Sequence, residues 1–583
     1  MTTAPKSGRG RRAFLKQVPA ALAGLSVAGR TELEARPASQ LQDQSALRTP
    51  TGITSETLGV AQQIVGVNLP EAERESARTL VQRNLANIEA VRNVKVPSEL
   101  EPAFSFRPFD FAQGRPQPKK TGLAPCTPRS ARERVGPRPA NLEALAFESA
   151  ASLGARLRAR QVTSTELTKM YLARLQRADA TLFCVVTLTE ELALAQAAQA
   201  DKEIRAGKYR GPLHGIPYGI KDLFATKGIL TTWGAKPYST QVPDYDATAV
   251  VRMREAGAVL IAKLATGELA VGDLWFRART RNPWNPERGS SGSSAGPASA
   301  TSAGLVGFAV GTETGGSIIS PASTCGVVGL RPTYGRSSRH GCMTLRWTLD
   351  KVGALARTVG DTALVLEALH GPDGHDETVA DLPFHWNGHS SVKGTRIGYI
   401  EKEFASAPAA AKVLLDAALE TYRKAGASLV PIAMPDLPAA ALYALLNAEA
   451  GAMFDELVRS GGINEMADKG VNGRANQLRA ARFIPAVDYI RAQRVRTLLL
   501  QQVSALFGPG KVDAFLAPST SDSVTACNLT GHPAITIPAG FVDGLPIGLM
   551  VTGPLYREDR LLEVAAAFES ASDWHTKHPL SYT

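Results

Sequence analysis

From Asn141 onward the chain alternates short β-prone apolar runs with amphipathic helical stretches, and this alternation restricts the fold more than any other feature. "FCVVTL" (183–188), "AVLIAKL" (258–264), "GLVGFAVGTET" (304–314), "TRIGYI" (395–400), "VDAFLAP" (512–518), "AITIPAG" (534–540) and "IGLMVTG" (547–553) read as strands. Between them lie helical patterns. One opens on a Thr163–Glu166 capping box followed by Leu167, Tyr171, Leu172 and Leu175 on one face, and another covers 359–371. Strands alternating with helices predict an α/β layered core of many strands. No repeat of 20 to 50 residues is visible, which removes solenoids and propellers.

The segments before Asn141 read differently. Residues 1–35 form a basic tail in which "RRAFLK" (Arg11–Lys16) precedes a short Ala/Gly-rich apolar run, resembling a twin-arginine export signal and implying a periplasmic protein. That run is too short to span a bilayer, so no stable membrane insertion is expected of the mature form. Residues 51–96 carry helical spacing in two stretches divided near Pro70, and 97–140 are a Pro/Arg-rich linker or insertion. The remaining span, 141–583, reads as one large domain expected to carry the function.

Charge and ligand chemistry narrow the function classes. Residues 1–140 hold 21 Lys and Arg against 12 Asp and Glu, so nine of the eleven net positive charges lie there and the body is nearly neutral. No basic stripe interleaved with aromatics follows, and no nucleic-acid partner is expected. The five cysteines are scattered with no C-x-x-C, and the nine histidines have no ligand spacing; neither a metal nor a cofactor is expected.

The chemistry gathers at three places. In "GTETGGSIISPAS" (311–323) two glycines precede Ser317, a sequence that fits a plain turn or a cluster of backbone N–H groups beside a nucleophile. "GSSAG" (292–296) matches G-x-S-x-G around Ser294, but "RNPWNPERG" before it is charged and broken by proline, unlike the buried strand a nucleophile elbow requires. In "HGIPYGIKDLF" Lys221 sits among apolar residues. It reads either as a lysine that burial turns into a base or as one paired with Asp222.

Taken in order, "GIPYGIKD", "GSSAG" and "GTETGGSIISPAS" resemble the amidase signature family. The resemblance continues through "CGVVGLRPTYGRSSRHG" (325–341), "TLDKVGALARTVGDTALVLEALHG" (348–371) and "CNLTGHPAITIPAGF" (527–541), covering roughly 141–583. It implies a large mixed β-sheet with helices on both faces, and a Ser-Ser-Lys triad. In that triad Ser317 is the nucleophile, Ser293, after a cis Gly292–Ser293 bond, the bridging serine, and Lys221 the base. Thr314, Gly315, Gly316 and Ser317 would supply the oxyanion donors. The implied activity is hydrolysis of a small carboxamide to a carboxylate and ammonia or an amine. The alternatives are the glutaminase A-type subunit of a tRNA-dependent amidotransferase and an inactive binding protein of the same fold. A homodimer is compatible with the sequence. Three positions depart from the family pattern: Ile319 stands where many members have arginine, and Ala295 and Pro297 replace Gly and Ser, with Pro297 expected to tighten or distort the loop. His214, Cys342 and Trp347 are read as packing or loop residues rather than substrate contacts.

Overall fold

Residues 259–264, 308–313 and 351–356 are buried at every position in the computed structural model, which describes residues 52–97, 100–104 and 135–582. Successive side chains of a strand point to opposite faces, so such runs are stable only where both faces of a sheet are covered. The export motif and most of the Pro/Arg-rich segment lie outside the described residues.

The strands are β1 (Val185–Leu188), β2 (Pro217–Lys221), β3 (Val259–Leu264), β4 (Arg281–Asn282), β5 (Asn285–Gly289), β6 (Phe308–Glu313), β7 (Val328–Arg331), β8 (Lys351–Ala356), β9 (Arg396–Ile400), β10 (Ser428–Ile432), β11 (Ala514–Pro518), β12 (Ala534–Val542) and β13 (Leu545–Thr552). Eleven of them form one mixed sheet in the order β1-β3-β2-β6-β8-β7-β12-β13-β11-β9-β10. β3, β2 and β6 run parallel, as do β11, β9 and β10, with antiparallel ladders between. This is the α/β architecture expected, helices flanking a large mixed sheet. β4 and β5 pair separately as a short hairpin that the proline-broken sequence concealed.

The topology brings the ends of several strands together. Because β2 and β6 are parallel neighbours with Ile220 opposite Val310, Lys221 and Thr312 emerge at the same edge. β8 runs antiparallel to β6 and sets Lys351 and Val352 opposite Glu313 and Thr312. Crevices beyond the carboxyl ends of parallel strands are where α/β sheets leave space for ligands.

Local signals account for the helix ends. Thr163 and Glu166 form both halves of a capping box at the start of Ser164–Leu182. The N-terminal stretch forms α1 (Ser55–Ile64) and α2 (Glu71–Arg92), separated at Pro70 as the pattern predicted. Among the described residues no helix is long and apolar enough to cross a membrane.

Beyond the end of β7, buried Arg336 meets buried Glu558 at 2.6 Å, and the same carboxylate accepts the N–H of Thr333 at 2.9 Å. Removing one partner leaves a buried charge unmatched. Glu558→Ala is expected to lower unfolding free energy by about 3–5 kcal/mol, read from urea denaturation beside the wild type; a loss below about 1 kcal/mol would mean that the pair is solvated.

Candidate active site

Lys221, the last residue of β2, is fully buried, and no carboxylate among the described residues lies within ion-pair distance of it. Its Nζ donates to Ser293 Oγ at 2.8 Å and to Thr312 Oγ1 at 2.9 Å. Burial lowers its titration from the ordinary lysine range to about 7. Asp222, the partner left open by the sequence, turns to the opposite face and pairs with Lys263 at 3.1 Å.

Ser293 follows a cis peptide bond from Gly292, as the resemblance implied. Only glycine fits at 292, where a Cβ would stand 1.8 Å from the carbonyl oxygen of Gly272. The neighbouring Ser294 ties this loop to the other two strands of sequence. Its N–H donates to the carbonyl of Ser317 at 3.0 Å, and its hydroxyl donates to that of Thr312 at 3.1 Å. Ser294 is thus a positioning group that the sequence offered only as a G-x-S-x-G match. Ala295 and Pro297 open the helix Ala295–Ser302. Pro297 falls in the first turn, where a missing N–H breaks no helical hydrogen bond, so the expected distortion does not arise.

Ser317 follows Gly315 and Gly316, is partly exposed, and its hydroxyl has no hydrogen-bond partner among the described residues. Nor do the N–H groups of Gly315, Gly316 and Ser317 meet an acceptor there, so these donors remain available for an incoming oxygen. Glu313 holds the turn in shape. Its buried carboxylate accepts the N–H of Ile318 at 2.6 Å and of Ile319 at 2.8 Å, Asn528 Nδ2 at 2.8 Å and Arg331 at 2.7 Å. Desolvation would push this carboxyl up, but Arg331 and the converging N–H donors outweigh it and hold it below the usual range. Nothing in the sequence flagged Glu313, because its partners come from distant segments.

A cavity of about 310 Å³ opens beside Thr312 and Thr314. Cys342 and Trp347 border it, and Cys342 also packs against two of the apolar clusters. His214 is buried away from it, 3.3 Å from Glu203. Ile319 also turns away and packs with Ile400, Phe515 and Val524, so its side chain is core. Asp350 accepts Thr314 Oγ1 at 2.7 Å and the N–H groups of Leu345 and Arg346, fastening the cavity wall to the turn. Tyr443 covers the turn: a Cβ on Gly315 would lie 2.3 Å from its Oη, and the Arg346 guanidinium stacks 4.0 Å from its ring centroid. Among the described residues no three or more His, Cys, Asp or Glu side chains group in a way that could hold a metal ion.

Residues 166–526 match the model of the family described as Amidase. The chain is 37% identical over 478 residues to the A-type subunit of glutamyl-tRNA(Gln) amidotransferase from Methylococcus capsulatus, covering 74% of this chain and 98% of that one. It is 38% identical over 472 residues to the same protein of Geobacter metallireducens, covering 72% and 96%. The solved structure of native peptide amidase from Stenotrophomonas maltophilia superposes with a TM-score of 0.67 at 32% identity, over 73% of this chain and 97% of that one.

Glu313→Gln is expected to cost about 3–5 kcal/mol by urea unfolding, since it leaves Arg331 buried without a counter-charge. The contribution of the wild-type carboxylate is present above its unfolded pKa of about 4.3 and disappears as the pH falls through its lower folded value. The variant should therefore lose the corresponding part of the acid limb in a stability–pH curve.

Proposed function

The chain belongs to the amidase family, and from that premise we propose that it hydrolyses the C–N bond of a carboxamide through an acyl-enzyme on Ser317, with Ser293 and Lys221 as proton relay. The observation that carries the reading is the buried Lys221 amine, with no carboxylate to hold its charge, bonded to Ser293. A neutral amine accepts the Ser293 proton while Ser293 accepts that of Ser317 as Ser317 Oγ attacks the carbonyl carbon. The resulting oxyanion is met by the N–H groups of the 314–317 turn, where each donor is worth about a hundred- to a thousandfold in rate. Ser293 then returns a proton to the leaving nitrogen, the C–N bond breaks, and ammonia or an amine departs. Water attacks the ester by the same relay and leaves a carboxylate. The reaction as written needs no cofactor. An ester would share the acyl-enzyme, so esterase side activity is expected.

Two readings of the substrate follow. A free-standing amidase acting on a small carboxamide is supported by the export-like Arg11–Lys16 segment, since a tRNA-dependent partner would be cytoplasmic. A glutaminase component of a larger complex is supported by the amidotransferase relatives. Under that reading glutamine is the amide and the ammonia passes to a partner. Export is tested separately by sequencing the N-terminus of protein recovered from the periplasm.

Release of ammonia or amine from a panel of aliphatic, aromatic and amino-acid amides, glutamine included, is expected for the wild type and should vanish in Ser317→Ala. Selective turnover of glutamine would favour the glutaminase reading. Failure on the whole panel, together with no fluorophosphonate labelling of Ser317, would leave an inactive binding protein.

The pH profile has a defined sign. Because the base must be neutral, kcat/KM should rise with pH through about 7 as Lys221 loses its proton. A limb near the ordinary lysine value instead would show that Lys221 stays charged.

A further inference from the structure

Residues 52–97 and 100–104 lie outside the stretch that matches the family, yet they make a built contact with the helices Ala439–Leu445, Arg474–Ala481 and Ala486–Ser504. We propose that this segment is a built-in partner of the enzyme, docked tightly enough to stay without its covalent tether, and that its docking holds the roof of the active site in position.

The contact has the anatomy of a protein interface, an apolar centre with a polar rim. Ile88 and Val91 of α2 join Leu442, Leu445, Ala492 and Val495 in one cluster, while Ile53, Leu58, Leu80 and Val81 gather against Ala480. Around them Arg92 forks onto both oxygens of Asp488 at 3.0 Å, and Arg479 reaches Glu73 at 3.1 Å.

The catalytic domain also completes the ends of both helices. The last carbonyls of a helix have no partner within it and carry partial negative charge. Arg482 donates to the carbonyl of Val65 just past α1, and Arg491 to those of Arg92 and Val94 at the end of α2. Further along, Arg494 donates to the carbonyl of Leu100 at 2.8 Å, and the N–H of Ala103 to that of Gln493 at 3.2 Å. These arginines belong to the domain and serve the segment's backbone, as groups on one partner serve another.

The same helices form the roof. Leu442 and Leu445, which meet α2, flank Tyr443, which covers Gly315 beside the nucleophile turn. The 486–504 helix carries Arg496, whose guanidinium holds the carbonyl of Thr348 at 2.7 Å, two residues beyond the Arg346 that stacks on Tyr443. The segment therefore acts through Tyr443 and its neighbours and touches no reacting atom.

The experiment uses the full chain with a protease recognition site placed within residues 105–134. After cleavage the two pieces of the wild type are expected to co-elute in size exclusion, with amide exchange at 439–446 unchanged. In Arg92→Ala/Arg491→Ala the uncut chain should behave like the wild type, since a tether supplies an effective concentration on the order of millimolar. Once cut, it should release the N-terminal piece, and exchange at 439–446 should accelerate about tenfold or more. Ile88→Asp is run beside it as a second means of release. Departure of the piece from the cut wild type overturns the proposal. So does release from a cut variant without faster exchange at 439–446. The accompanying fall in kcat rests on the amide-hydrolysis reading; association and exchange do not, so failure of the two ideas can be told apart.

Discussion

Two buried charges near the end of β6 are treated in opposite ways, and the site depends on the contrast. Glu313 is surrounded by donors from its own turn, from β7 and from the Ser523–Thr530 helix, so its charge is matched and it acts as a fixed anchor for the backbone around Ser317. Lys221 receives two hydroxyl groups and no carboxylate, so its charge is unmatched and its proton is loosely held. A paired buried ion is structure; an unpaired one near neutrality is available for proton transfer. Lys263, one strand away and equally buried, shows what pairing with Asp222 would have made of Lys221.

The sheet makes that contrast possible. β2 delivers the amine, and its parallel neighbour β6 delivers Thr312 and the turn. The short β4–β5 hairpin leads into the Ser293 loop. Ser294 then joins loop, strand and nucleophile turn, its N–H donating to the Ser317 carbonyl and its hydroxyl to that of Thr312. β2, the Ser293 loop and β6 with its turn are separate in sequence; β2 and β6 are buried at every position and Ser294 ties the Ser293 loop to β6, so the constellation sits on rigid supports. Leu345 and Arg346, outside regular structure, are fastened to the turn by Asp350, and Tyr443 of the Ala439–Leu445 helix is held by apolar packing.

Much of this was legible beforehand. Strand positions followed from short apolar runs, the Ser164–Leu182 helix from its capping box, and the α1–α2 break from Pro70, because these are local signals. Lys221, Ser293 and Ser317 were picked out as a set by the resemblance of their three segments, in order, to the amidase signature family. What stayed hidden was not local: nothing near Cys342 and Trp347 in sequence shows the cavity they border. Ile319, where many family members have arginine, is core, since it packs with Ile400, Phe515 and Val524 from distant segments.

The sequence by itself determined the layered α/β class and the helical character of 51–96, because those depend on periodicity over a few residues, and its resemblance to the amidase signature family supplied the three candidate side chains. The tertiary structure alone decided that Lys221 is left without a counter-charge beside a serine hydroxyl. Lys221 and Asp222 are neighbours in the chain, but adjacent residues at a strand end face opposite ways, and register with β3 gives the carboxylate to Lys263. That choice is a property of strand pairing across 42 positions from Lys221 to Lys263, invisible in either segment read alone.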